Sequence, residues 1–119
     1  MIVKTEIIID KDIRISNFLR EFSEVFPYLK IEVSKKGVDY SHDYRDFKLF
    51  EISTKRKPEG FKISGDMKVT ELEAIFWDKL GLQISVYRKT GSSMIETTLT
   101  NQWTLSHQNN KSKEIFFVN

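Results

Sequence analysis

Apolar positions follow two rhythms along the chain, a period of two and a period near 3.6. Residues 2–9 (IVKTEIII) alternate, which predicts a strand with Val3, Ile7 and Ile9 on one face and Lys4 and Glu6 opposite. Ile2 and Ile8 add apolar positions on the second face, so this strand is expected to be central and covered on both sides at its ends. Residues 16–29 then change to helical spacing. Phe18, Phe22, Val25, Phe26 and Leu29 form one stripe, Ser16 stands at the N-cap position, and Pro27 closes the last turn. Residues 30–36 alternate again, with Ile31 and Val33 inward and Gly37 as the exit turn.

The second half of the chain repeats this order after a less regular stretch. Residues 38–46 are polar and aromatic and read as a loop, 47–53 (FKLFEIS) as a strand, and 54–60 as a basic turn containing Pro58 and Gly60. A short strand begins at 61–64. Thr70 and Glu73 have capping-box spacing, and the helix they open runs to Leu80, with Leu72, Ile75, Phe76 and Leu80 inward and Gly81 as the C-cap. Trp77, beside Phe76, is expected on the flank of the core. Residues 82–89 alternate, Thr90, Gly91 and Ser92 signal a hairpin, and 93–100 return as a strand. Residues 101–113 are polar with a short helix from Thr104 or Ser106. Residues 115–118 (IFFV) read as a last strand or a docking tail.

At an offset of 54 residues the two halves align: Asp12 with Asp66, Ile13 with Met67, Ile15 with Val69, Phe18 with Leu72 and Phe22 with Phe76. One deletion near Pro27 and Gly81 then matches Ile31 with Ile84 and Val33 with Val86. The chain is expected to be one α+β domain over residues 1–119, with an internal pseudo-repeat at 7–37 and 61–91. A βαβ-βαβ order predicts a ferredoxin-like sheet of five or six strands, mixed or antiparallel, with two main helices on one face and a right-handed crossover in each half. A C-terminal hairpin arm and a short third helix extend it.

Composition narrows the function classes. The 119 residues carry 19 Lys plus Arg against 17 Asp plus Glu, too even a balance for a nucleic-acid coat or a polybasic membrane binder. With no cysteine, disulfides, thiolate catalysis and Cys-based metal sites are excluded. No apolar run approaches the ~20 residues that span a bilayer, and the first residues lack a leader's pattern, so a cytoplasmic protein without membrane contact is expected.

Three clusters carry candidate chemistry. Asp39, His42, Asp43 and Asp46 offer oxygen and imidazole ligands, or a general base in His42. No second histidine lies near, so local charge pairing is the expected use and no metal or cofactor is assigned. Asn101–Asn110 set amides and hydroxyls beside Trp103 and His107, an arrangement able to read a ligand's polar edge. Basic groups recur at Lys35 and Lys36, at Lys55, Arg56 and Lys57, at Arg88 and Lys89, and at Lys111 and Lys113, with Tyr40, Tyr44 and Tyr87 nearby. Aromatics flanked by cations can stack single-stranded bases, whereas lysines on edge strands deter aggregation.

No nucleophile elbow, phosphate loop or zinc motif is present. The leading expectation is a non-enzymatic protein-interaction or oligomerisation module, with a protein partner or a second copy of the chain. The alternative is nucleic-acid or small-ligand binding by Tyr44, Tyr87, Arg88, Lys89, Trp103 and His107. An enzyme built on His42 or His107 comes last.

Overall fold

The computed structural model of the chain describes residues 4–118, and of their side chains those up to Ile115. Its elements are β1 (Glu6–Ile9), α1 (Ile15–Val25), β2 (Leu29–Lys35), β3 (Val38–Asp39), α2 (Leu49–Ile52), β4 (Phe61–Ser64), α3 (Val69–Leu80), β5 (Gln83–Lys89), β6 (Met94–Glu96) and α4 (Leu105–Val118), with a 3₁₀ turn at Thr98–Thr100. Together they form a compact α+β domain with two antiparallel sheets, β1-β4 and β3-β2-β5-β6.

The strand pairing departs from the expected single sheet. A ferredoxin-like order would insert β4 beside β2, but β2 pairs with β5, and β1 pairs with β4 in a separate ribbon. Strand length supplies a reason. β2 and β5 are seven residues each, β1 and β4 four each. Pairing long with long sets Ile31 and Val33 opposite Val86 and Ile84, so one apolar face runs across two strands and ends where Leu29 stands opposite Arg88. Because β1 and β2 sit in different sheets, the crossover rule for βαβ units does not apply to them. β2 and β5 are also the central strands of their sheet rather than edges, so the edge-lysine reading of Lys35, Lys36, Arg88 and Lys89 fails.

The core lies between this apolar face and the helices. Phe18 of α1 and Phe61 of β4 both meet Phe76 of α3, with ring centroids 5.5 and 5.1 Å apart, so the two main helices share one layer. Ile7 and Ile9 of β1 join the core, but Ile8 is 57% exposed, so β1 is covered on one face only. Ile2 and Val3 lie outside the described residues. Trp77, 58% exposed, is not on the core flank; it stands on the solvent side of α3.

Helix starts are displaced from the sequence reading. α1 begins at Ile15 with Arg14 at its N-cap position, and Ser16 is already helical. The cap comes from far along the chain: Asp46 accepts the Ser16 N–H at 2.9 Å and the Ser16 hydroxyl at 2.7 Å. α3 begins at Val69, where Glu71 rather than Glu73 accepts the Lys68 N–H at 3.0 Å. The expected strand 47–53 is instead the helix α2: Glu51 accepts the Lys48 N–H at 2.9 Å, and Leu49 and Ile52, three apart, are both buried. Residues 93–100 form strand only at Met94–Glu96. The tail is helical, α4 running unbroken through residues 115–118.

Similar backbone bonds occur in the two parts of the chain. Ile15 N–H donates to Phe47 and Leu49 N–H to Ile13; Val69 N–H donates to Trp103 and Leu105 N–H to Met67. The similarity reaches the hairpins. The Val33 carbonyl accepts from Tyr40 N–H and the Ser41 hydroxyl, and the Val86 carbonyl accepts from Thr97 N–H and the Thr97 hydroxyl.

Candidate functional site

The six residues singled out from the sequence divide over three places. On β5 the side chains alternate across the sheet, and Arg88 falls on the same side as the buried Ile84 and Val86, at the end of the strand beyond the core. Trp103 reaches this place because its backbone is pinned by bonds with Thr100 and Val69, both near 3 Å. The Arg88 guanidinium lies over the Trp103 ring, 5.8 Å from its centroid, and His107, one turn into α4, meets the same ring edge-on at 4.5 Å. Arg88, Trp103 and His107 therefore form one cluster. Both neighbours occupy the indole, which leaves it less free to stack a base.

Tyr87 and Lys89 point to the other side of the sheet. Tyr87 sits among Lys30, Glu32, Ser85 and Glu96, where burial and then the hydrogen bond to Glu32 hold its phenol above the ordinary value. Lys89 is committed to the structure: its Nζ donates to Pro27, its N–H to Tyr28, and its carbonyl accepts the Ser112 hydroxyl at 2.6 Å. Tyr44 is 94% exposed in the loop after β3, far from both groups in the topology. Lys35 and Lys36 stand at the β2–β3 turn, at the opposite end of the sheet from Arg88 and Lys89, so the basic pairs do not make one patch.

The acidic loop after β3 is spent on its own backbone. Asp39 accepts the Ser41 N–H; burial pushes its carboxyl up, but the bonds from Ser41 outweigh that and leave it lowered. Asp43 is held at about 2 by the Arg45 guanidinium, which donates from Nε and Nη2. Asp46 caps α1. His42 is exposed. Among the described residues no group of three or more His, Asp or Glu side chains could hold a metal. An open groove of about 480 Å³ near Lys4, Gly65, Asp66 and Ser106 is lined by groups already engaged: Lys4 pairs with Glu21, Asp66 accepts from Ser64, and Ser106 N–H donates to Gly65.

The sequence reading missed a second feature, the outer edge of β6. Hydrogen bonds Thr90 N–H to Ser93 and Thr97 N–H to Val86 fix the β5–β6 ladder, so Arg88 and Ile95 form a bonded pair. The backbone groups of Met94 and Glu96 then point away from β5. No strand lies there among the described residues. Met94 and Ile95 are 48% and 44% exposed, and Leu99 just beyond is 98% exposed. The clue in the sequence was a strand of Met, Ile and Glu with no lysine in it, following a hairpin turn.

Gln108 belongs to the polar 101–110 cluster, but its burial was not foreseen. It is fully buried and donates to the Thr100 carbonyl and hydroxyl, while its Oε1 meets no donor. No helix among the described residues is long and apolar enough to cross a membrane. Comparison of the chain with protein-family models, with curated proteins and with solved structures finds no match.

Proposed function

We propose that this protein is a small non-enzymatic interaction module that self-associates along the outer edge of β6. The observation that carries the reading is an apolar edge strand with open backbone groups: Met94, Ile95 and Leu99 are exposed, and Met94 and Glu96 turn their N–H and C=O groups outward. Exposed edges of this kind invite strand pairing, and natural proteins ordinarily guard them with charge or cover. The opposite edge at β3 is two residues long and begins after Lys35 and Lys36.

A second copy suits this edge. In an antiparallel pairing about a two-fold, Met94 of one copy bonds with Glu96 of the other, and the two Ile95 residues face each other across a non-bonded pair, where side chains come closest. Like charges do not meet in that register. A cytoplasmic setting accords with the absence of cysteine. Nucleic-acid binding is the weaker reading because the basic groups are dispersed and the Trp103 ring is occupied.

Light scattering on the eluting protein over a concentration series tests the proposal. The wild type is expected to shift from monomer to dimer, with slowed amide exchange at Met94 and Glu96. Ile95→Lys should weaken the dimer at least tenfold, equivalent to about 1.4 kcal/mol. Trp77→Lys, on α3, should leave it intact. A wild type that stays monomeric at the highest concentrations, with freely exchanging Met94 and Glu96 amides, refutes the reading.

A further inference from the structure

We infer that Arg88 is the anchor of a carboxylate-binding site at the sheet end bounded by Trp103 and His107. The inference is independent of β6 self-association.

A guanidinium at the margin of an apolar core normally has an acidic partner, because a half-buried unpaired charge is costly. Arg88 has none. Among the described residues it takes part in no side-chain hydrogen bond and no ion pair, and its only contact of that kind is the Trp103 ring. Its cross-strand neighbours are Leu29 on one side and Ile95 on the other, both apolar. The nearest acids of the sheet, Glu32 and Glu96, are on the opposite face with Tyr87. Of the other arginines, Arg14 donates to the Asp46 carbonyl, Arg20 pairs with Glu24 and Arg45 with Asp43, while Arg56, which has no partner among the described residues, is exposed to solvent.

The three nitrogens of Arg88 are not equivalent. Nε alone is both buried and without a partner, so the terminal pair, also without partners, reaches solvent. The guanidinium lies against the indole, and its terminal nitrogens, which are not enclosed as Nε is, make no bond to the described residues. A guanidinium fork matches the two oxygens of a carboxylate, and resting it against the ring in advance lowers the ordering cost of binding. Lys89 next in sequence and Lys111 on α4 do not compete for the ligand, since Lys89 donates to Pro27 and Lys111 pairs with Glu114. Of the cations Arg88, Lys89 and Lys111, Arg88 alone has no hydrogen bond or ion pair to the described residues, which favours a monoanion. His107, exposed and against the same ring, forms the rim.

The carboxylate belongs either to a free small acid or to the chain terminus of a peptide; both present the same two oxygens. Side-chain NMR of the full-length protein reads the site directly, through the Arg88 Nε–Hε and Trp103 Nε1–H signals, with the exposed Trp77 as internal reference. Titration is made at constant ionic strength with acetate, with a glycine-rich peptide bearing a free terminus, and with the same peptide amidated. A saturable shift of Arg88 and Trp103 but not Trp77 with acetate assigns a small acid. The same shift with the free-terminus peptide alone assigns a peptide end. Arg88→Lys keeps the charge and loses the fork, and should weaken either response at least tenfold while thermal melting shows the fold retained. Three results overturn the inference: no saturable shift with either carboxylate, an equal response to chloride or to the amidated peptide, or Arg88→Lys binding as the wild type does.

Discussion

Asp46 lies 30 residues beyond Ser16, which is in the first turn of the helix that Asp46 caps, and its two oxygens take both donors of Ser16. Its side chain does the work the sequence reading gave to Ser16, because a cap can be supplied from anywhere the fold brings a carboxylate, and here the Arg14–Lys48 bridge brings the loop alongside. The bonds from the Ser16 hydroxyl and then from its N–H hold the Asp46 carboxyl below the usual range, and the positive end of the α1 dipole acts in the same sense. A lowered folded-state value contributes stability above the unfolded value, and that contribution is lost as pH falls through the folded one. Asp46→Ala is therefore expected to cost about 1 kcal/mol at neutral pH, the ordinary worth of a cap. The gap to wild type should narrow below about pH 4, where free aspartate protonates. Asp46 has φ +47°, a backbone that Asn accepts more readily than Ala, so Asp46→Asn should recover part of the loss. Chemical denaturation of the three proteins at pH 7 and pH 3 measures both effects, and a gap that widens in acid would refute the assignment.

Elements were legible in proportion to their length and to how local their signals are. The helix 69–80 ends at Gly81, as the sequence implied, because only there does the chain turn to φ +64°. The same glycine is held by Thr54, whose hydroxyl donates to the Gly81 carbonyl at 2.9 Å. A methyl group at residue 81 would fall 1.7 Å from that hydroxyl oxygen. Gly81→Ala should thus lower stability by more than the ~1 kcal/mol of left-handed strain alone. Thr54→Ala in the same chain should return part of the difference, and a double-mutant cycle by thermal melting separates the two contributions. Short elements were less legible. Residues 47–53 start like a strand, with Phe47 and Leu49 flanking Lys48, yet the three-residue spacing of Leu49 and Ile52 and the bond from Lys48 N–H to Glu51 make 49–52 the helix α2. A four-residue segment satisfies both periods, and burial decides between them. The polar stretch after Trp103 hid the buried face of α4, since Gln108 and Ser112 occupy it in place of apolar residues. Of the candidate site, the Arg88, Trp103 and His107 grouping was present in the residues chosen, but Tyr87, one position away on β5, was carried to the other face by the strand's period of two.

The whole molecule turns on which strands pair, and nothing local specifies that. β2 and β5 have the same pattern as any two buried strands, so their alternation identifies them without choosing neighbours. The pairing joins the two halves of the chain at every level: β1 with β4, β2 with β5, and Phe18 with Phe76. Neither half encloses an apolar core of its own, since Ile7 and Ile9 need β4, and Ile31 and Val33 need β5 for lateral cover. A fragment of about half this length also buries a smaller share of its surface than the whole chain does. The exposed Lys55, Arg56 and Lys57 between the halves offer a place to cut without entering either. Brief trypsin treatment should nick the chain there and leave the fragments associated, with native circular dichroism. Separated in denaturant and returned to buffer one at a time, each fragment should show no cooperative unfolding; mixed in equal amounts, they should regain it, with a midpoint that rises with concentration because folding has become bimolecular. A fragment that folds cooperatively alone as a monomer would show instead that its core is its own, and that the strand pairing across the halves joins two finished units.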